Sequence, residues 1–114
     1  MTTVETSQAI VVLVTVPNAE VAARLADALV GEALAACVNV LPQLRSTYRW
    51  QGRVAHDDEQ LCLVKTTRDA FERLRARIVE LHPYDVPEVI ALPIVAGHAP
   101  YLAWIAASVT ARGG

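Results

Sequence analysis

Apolar residues form a nearly continuous run close to the start of the chain, over residues 8–16. The run is rich in β-branched side chains, which is typical of a strand that is covered on both faces. Pro17 ends the run, and Asn18 is placed to accept a hydrogen bond from the first N–H groups of a helix. The apolar spacing then changes to every three or four residues, which predicts a helix that ends at about residue 32.

A long β-hairpin is predicted for the middle of the chain. Strand-like residues begin at Cys37, are interrupted at Pro42 and then continue up to Gln51 and Gly52. Glycine can adopt the positive φ that a tight hairpin turn requires. Residues 53–67 then form the returning strand, so the tip of the hairpin is expected to stand clear of the rest of the domain.

The last third of the chain predicts a helix, a short strand and a second helix. Apolar residues recur at helical spacing from about residue 67 to His82, where the following Pro83 disfavours helical geometry. Prolines confine residues 89–95 to an edge strand or to a strand with an interrupted ladder. Residues 98–109 are predicted to form the last helix, with Pro100 in its first turn.

The predicted order of elements is β-α-β-β-α-β with a trailing helix. This order is that of an α+β, ferredoxin-like fold, a split β-α-β arrangement with an antiparallel sheet and helices on one face. The other face of the sheet also needs a cover, and three or more copies of the chain packing sheet to sheet would supply it. We therefore expect the protein to be an oligomer.

Composition and charge narrow the possible classes of protein. The chain has 114 residues, of which 54% are hydrophobic and 19% charged, and its net charge is −2. This length fits one domain, placed at residues 8–110 between short tails at 1–7 and 111–114. No basic field is present to hold nucleic acid, and the longest apolar run is too short to span a membrane. No signal peptide is recognisable, so the default expectation is a cytoplasmic location with both cysteines reduced.

Candidate chemistry is confined to single residues, because the chain lacks a phosphate-binding loop, a CxxC pair and the HExxH and GxSxG motifs. No enzymatic activity is therefore expected. Two roles are open for Cys37. It could be a metal ligand or a nucleophile, but its spacing favours a small buried residue. Cys62 is predicted to lie in the core. His82 could interact with the last carbonyls of its helix, or it could act as a ligand or a proton carrier. Its spacing in the sequence favours neither alternative.

Polar and aromatic residues alternate along the predicted hairpin. Glu59 and Lys65 share one face of a regular strand, either as members of ordinary ion pairs or as groups that reach a pocket. Glu88 could enter the same region. Tyr48 and Trp50 also share a strand face, and such aromatic residues are more often packing or interface anchors than ligand contacts.

Four motifs occur in order along the chain: ACVNVLP at residues 36–42, S-x-Y-x-W-x-G at 46–52, Glu59 and Lys65 around Cys62, and HPYDVPE at 82–88. Together they resemble the CutA family of divalent-cation tolerance proteins, from about residue 10 to residue 109. The resemblance implies a ferredoxin-like homotrimer that is related in architecture to PII signalling proteins. It also implies a role in tolerance of copper and other divalent cations, and no settled catalytic reaction.

The same resemblance implies a working site at the cleft between subunits. The positions that match the family motifs, as candidate metal ligands, are Cys37, His82 and Glu59. The residues expected near a bound small ligand are Lys65, Tyr84 and Trp50.

Two positions depart from the metal-binding members of the family, in which a cysteine ends the first strand and two histidines precede Pro-Tyr. Here those positions are Val14 and Leu81. A site built from the ligands that remain is expected to bind Cu or Zn weakly.

Two alternatives to a metal-binding function stay open. One is a PII-like signalling or scaffolding trimer that binds a metabolite or a protein partner without metal. The other, ranked last, is an enzyme with Cys37 as nucleophile and His82 as base.

Overall fold

A computed structural model describes residues 8–110 of the chain. The predicted tails, 1–7 and 111–114, lie outside the described residues. Within the described range the elements, in chain order, are β1 (Ala9–Val16), α1 (Ala19–Gly31), β2 (Cys37–Trp50), β3 (Arg53–Thr67), α2 (Phe71–Leu81), β4 (Ile90–Pro93) and α3 (Ala99–Ser108). No helix in this range is long and apolar enough to cross a membrane.

The strands form one antiparallel sheet in the order β2-β3-β1-β4. This order and the connections between the strands confirm the predicted ferredoxin-like fold. β4 lies at the edge of the sheet, which is one of the two alternatives predicted for this segment, because proline cannot donate a hydrogen bond to a central ladder. The strand is shorter than the predicted segment of residues 89–95, since only Ile90–Pro93 pair with β1.

The local signals at the helix ends are also confirmed. The side chain of Asn18 accepts a hydrogen bond of 2.9 Å from the Val21 amide and so caps α1. A 3-10 turn, Arg68–Ala70, leads into α2, and the Thr67 hydroxyl accepts a hydrogen bond from its last amide. α2 ends at Leu81 with His82 as its cap residue, which places the helix end directly before the HPY segment.

One face of the sheet carries the core. Residues at even positions of β1 point towards α1 and α2, and Val12 and Val14 are fully buried there beside Cys62. The helices contribute Leu25 and Ile78 to the same cluster. Full burial of each such side chain stabilises the fold by about 1.5–3 kcal/mol. Cys62 is thus a core residue, as the sequence indicates.

The opposite face of the sheet is apolar and largely uncovered by the described chain. Leu13, Leu61 and Leu63 are only half-buried there, and Leu92 of β4 is exposed. α3 covers only one end, where Leu102 and Ile105 pack with Ala9 at the start of β1. We call this surface the open face, and its cover by other copies of the chain, three or more packing sheet to sheet, stays a prediction.

The β2–β3 hairpin extends beyond the body of the domain. It is joined by Gln51 and Gly52, whose φ angles of 52° and 76° form the two-residue turn that matches strand twist. A β-bulge interrupts the ladder between Leu41 and Leu44, at the predicted interruption around Pro42. Directly after the bulge, Leu44 pairs with Glu59.

Candidate functional site

A groove of about 410 Å³ lies at the base of the hairpin, on the same side of the sheet as the open face. Its floor comes from β1 and β3, and one wall from β2. The loop between α2 and β4, which carries the HPYDVPE segment, forms the other wall. The charged residues that line the groove are all acidic: Asp57, Glu59, Asp85 and Glu88. Its aromatic residues are Tyr48, Trp50 and Tyr84.

Glu59 is the most buried of these acids. The bulge places it opposite Leu44, and only 8% of its surface is exposed. The Tyr84 hydroxyl donates a hydrogen bond of 2.7 Å to its Oε2 atom. Burial, together with this hydrogen bond to a carboxylate, raises the pKa of Tyr84 well above its usual range. No ion pair among the described residues includes Glu59.

A second tyrosine and carboxylate form a similar pair further along the hairpin. The Tyr48 hydroxyl donates a hydrogen bond to Oδ2 of Asp57. This bond, assisted by partial desolvation, raises the pKa of Tyr48. At neutral pH both tyrosines therefore stay uncharged, and each holds a carboxylate at the wall of the groove.

His82 is buried next to the groove and is engaged through both ring nitrogens. Its Nδ1 accepts a hydrogen bond of 3.2 Å from the Tyr84 amide, and its Nε2 donates one of 2.8 Å to the carbonyl of Thr15. The ring also contacts that of Tyr84, with centroids 4.6 Å apart. His82 thus ties the HPYDVPE loop to β1. A metal could bind its ring only if one of these two hydrogen bonds were given up.

Cys37 and Lys65 lie at the other end of the sheet. They are directly opposite each other on β2 and β3, and the Lys65 ammonium donates a hydrogen bond to the side-chain oxygen of Asn39. The Cys37 thiol, which is half-buried, lies 3.7 Å from the same oxygen. Along β3, Lys65 lies six positions after Glu59, which corresponds to about 20 Å in an extended strand.

The predicted site residues therefore fall into two groups within one chain. Glu59, Tyr84, His82 and Trp50 lie in or beside the groove, whereas Cys37 and Lys65 do not. Among residues 8–110, no three His, Cys, Asp or Glu side chains converge closely enough to hold one metal ion. Any site that combines Cys37 with Glu59 would have to draw on two copies of the chain.

Sequence reasoning missed Asp57 and Asp85. Asp57 could have been found from its spacing, because it lies two positions before Glu59 and so shares a face of the strand. Asp85 is part of the HPYDVPE motif, but its position in the groove depends on the path of the loop. Val14, where the resemblance implies a cysteine in metal-binding members of the family, is buried in the core and does not line the groove.

The chain is similar in sequence to proteins named for CutA. It is 59% identical over 95 residues to a divalent-cation tolerance protein CutA of Thermus thermophilus, covering 83% of this chain and 92% of that protein. It is 48% identical over 101 residues to a chloroplastic CutA protein of Arabidopsis thaliana, covering 89% of this chain but only 56% of that protein.

Solved structures of CutA proteins have the same fold. The Thermus thermophilus structure superposes with a TM-score of 0.88 at 55% identity, over 90% of this chain and 99% of that one. CutA1 of Oryza sativa superposes with a TM-score of 0.89 at 45% identity, over 96% and 99% of the two chains.

The prediction of a cytoplasmic location is wrong, because the names of these relatives do not support it. The proteins of Arabidopsis thaliana and Oryza sativa are named as chloroplastic, and a CutA structure from Archaeoglobus fulgidus is described as periplasmic. The default location was inferred from the lack of a recognisable signal, and similar chains occur in other compartments.

The family model for CutA1 divalent ion tolerance proteins matches residues 10–108, which include every strand and helix apart from the first residue of β1. The groove with its Glu59–Tyr84 pair and the HPYDVPE loop lies within that match. The chain therefore belongs to the CutA1 family of divalent ion tolerance proteins.

Proposed function

We propose that this protein acts in divalent-cation tolerance as a homotrimer that binds a metal ion or a small ligand at a cleft between subunits. The observation that carries the proposal is the acidic groove around buried Glu59, which adjoins an apolar sheet face that the chain leaves largely uncovered. Negative charge attracts cations, and a second subunit on the open face would enclose the groove. We propose no catalytic reaction.

The open face supports self-association. Leu41, Ile90 and Leu92 are 44%, 50% and 48% exposed on this surface, which is unusual for a protein that stays monomeric. Copies packing sheet to sheet would remove these side chains from water. Each Å² of apolar surface buried in this way contributes about 25 cal/mol.

The candidate metal is Cu or Zn. Cys37 would supply from one subunit a thiolate, which suits Cu and Zn, and Glu59 would supply from another subunit a carboxylate, which zinc also accepts. His82 would join them only after releasing the Tyr84 amide or the Thr15 carbonyl. Such a site would be weaker than one with three free ligands. Lys65, Tyr84 and Trp50 would contact a small ligand.

Calorimetric titration of the metal-free protein with Cu(II) and Zn(II) tests this proposal, after its mass has been measured by ultracentrifugation. We expect a mass three times that of the 12.3 kDa chain. Saturable binding should be lost in Cys37→Ala and His82→Ala and kept in His56→Ala, which removes an exposed histidine of the hairpin. Metal affinity that is the same in all three variants would exclude these ligands.

A PII-like trimer that binds a metabolite or a protein partner without metal is the second candidate. It is favoured by the separation of Cys37 from Glu59 within the chain and by the two occupied nitrogens of His82. In this case metabolites, and not metals, should raise the melting temperature. A ligand at 100 times its Kd stabilises the folded state by about 2.7 kcal/mol.

A further inference from the structure

Glu59 and Lys65 lie at opposite ends of the open face. Both project from β3 towards this side of the sheet, six positions and about 20 Å apart. Between them, β3 presents Leu61 and Leu63 to the same side, because alternate residues of a strand share a face. Along the open face, β3 therefore carries a negative charge, an apolar stretch and a positive charge, in that order.

Neither charge has a neighbour of opposite sign within the described chain. Glu59, which is almost fully buried, accepts a hydrogen bond from the Tyr84 hydroxyl, and half-buried Lys65 donates one to the side-chain oxygen of Asn39. Both partners are neutral, and no ion pair among residues 8–110 includes either charge. Copies of the chain on the open face would bury both charges further, which is costly unless each meets an opposite charge.

The order of charges along β3 is complementary to that of a second copy. Copies that close into a ring join head to tail, so one end of each open face meets the opposite end of the next. This alignment packs the apolar stretches together and places Lys65 of one copy beside Glu59 of another. An alignment that joins like ends would place like charges together, and such contacts cost stability.

We infer that Lys65 of one copy completes the groove of the next by forming an ion pair with Glu59, and that this pair fixes the direction in which copies join. The groove thereby gains a cation that its own chain does not supply. Cys37 lies directly opposite Lys65 on β2, so the same contact brings Cys37 to the neighbouring groove. The inference rests on the proposed function in taking a homotrimer with a cleft between subunits.

A double-mutant cycle tests the inference, because two residues about 20 Å apart in one chain should act independently. Glu59→Gln keeps an acceptor for Tyr84, and Lys65→Met keeps most of the length of the side chain. The wild type, the two single variants and the double variant are unfolded in urea at one chain concentration. The readout is the equilibrium constant for unfolding per chain.

Each single substitution leaves the other charge unpaired and should favour unfolding at least about tenfold. The double variant should then differ from the weaker single variant by less than about twofold. Independent effects of this size would instead multiply to about a hundredfold.

Two further variants serve as controls. Asp27→Asn removes an exposed charge from α1, on the other side of the sheet, and its effect should multiply with that of Lys65→Met. Lys65→Arg keeps the positive charge and should be less destabilised than Lys65→Met.

Exchange of the two charges gives a test that does not depend on the neutral variants. The protein with both Glu59→Lys and Lys65→Glu should be more stable than a protein with either of these substitutions alone. Recovery in the exchanged protein decides the question even where a single variant does not fold.

The mass of the wild type separates this inference from the proposed function. Independent effects of Glu59→Gln and Lys65→Met in a protein with the mass of three chains would overturn the inference and leave the homotrimer standing. A wild-type mass of one chain would overturn both. Coupled effects in a trimer that binds neither Cu nor Zn would support the ion pair and reject only the metal site.

Discussion

At the scale of single residues, His82 is defined by its two hydrogen bonds. A histidine at the end of a helix can be a cap, a ligand or a proton carrier, and its position in the sequence cannot separate these roles. The structure shows that its partners come from β1 and from the loop that follows α2. The contact with Thr15 could not be predicted, because it joins residues that lie 67 positions apart in the sequence.

The His82→Ala variant should destabilise the protein by about 1–3 kcal/mol, because the Thr15 carbonyl and the Tyr84 amide lose their partner. The measurement is urea denaturation, with His56→Ala as the matched control. His56 is exposed on the hairpin, and its removal should change the free energy of unfolding by less than about 0.5 kcal/mol. Equal effects of the two substitutions would contradict a structural role for His82.

The Glu59–Tyr84 pair predicts a pH effect. Because the folded state raises the pKa of Tyr84, its contribution to stability is complete below the pKa of an unfolded tyrosine, about 10. That contribution is lost as the pH rises through the folded pKa. In Glu59→Gln the acceptor is neutral, so Tyr84 should ionise at lower pH than in the wild type.

Tyrosinate absorbance near 295 nm measures this shift, and Tyr84→Phe identifies which part of the titration belongs to Tyr84. In Tyr84→Phe, the Glu59→Gln substitution should leave the tyrosinate titration nearly unchanged. A titration of the single Glu59→Gln variant that overlays the wild type would show that the carboxylate does not control Tyr84.

At the scale of elements, the order of strands and helices was predictable because each has a local signal. The change to apolar residues at every third or fourth position locates α1 and α2, while Asn18 marks the start of α1 and Pro83 the end of α2. The bounds of β4 were less accurate, since pairing with β1 and not its own composition limits it to Ile90–Pro93. The groove was not predictable, because it depends on how the hairpin and a distant loop meet.

Two glycines allow a matched test of the hairpin turn. A Cβ atom at Gly52 or at Gly31 would meet nothing within 4 Å, so neither substitution by alanine causes a clash. Gly52 has a φ of 76°, where an L-residue is strained, and Gly52→Ala should destabilise the protein by about 1–2 kcal/mol. Gly31 ends α1, and Gly31→Ala should stabilise it by up to about 1 kcal/mol.

Chemical denaturation of the two variants measures these changes. Stabilisation by both substitutions would indicate that loss of glycine flexibility in the unfolded chain, and not the backbone conformation of the turn, determines the outcome at both sites.

At the scale of the whole molecule, the hairpin determines the shape. The described structure measures 48 × 26 × 23 Å with a radius of gyration of 14.8 Å. A compact domain of about 100 residues has a radius of about 13 Å. The larger radius of gyration is due to the β2–β3 hairpin, which forms an arm beyond the body of the domain. The outer strand of this arm, β2, has an unpaired edge, and such edges favour association.

Substitution of Trp50 tests whether this arm mediates assembly. Trp50 lies next to the hairpin turn and is half-exposed, so in a trimer it is expected to pack against another subunit. Trp50→Ala should weaken the assembly, seen as dissociation at micromolar concentration in sedimentation experiments. Val79→Ala, which shortens an exposed side chain on α2, should leave the mass unchanged. An unchanged mass for Trp50→Ala would rule out this role.

The strand order has a consequence for folding during synthesis. β1 leaves the ribosome before the other described elements, yet both of its neighbours in the sheet, β3 and β4, are made later. Its run of valines therefore stays unpaired while α1 and β2 are translated. The hairpin pairs residues that are close in sequence and can form first, so β1 docks late. A nascent chain that stalls before β3 would expose this apolar, β-branched segment to other chains and to chaperones.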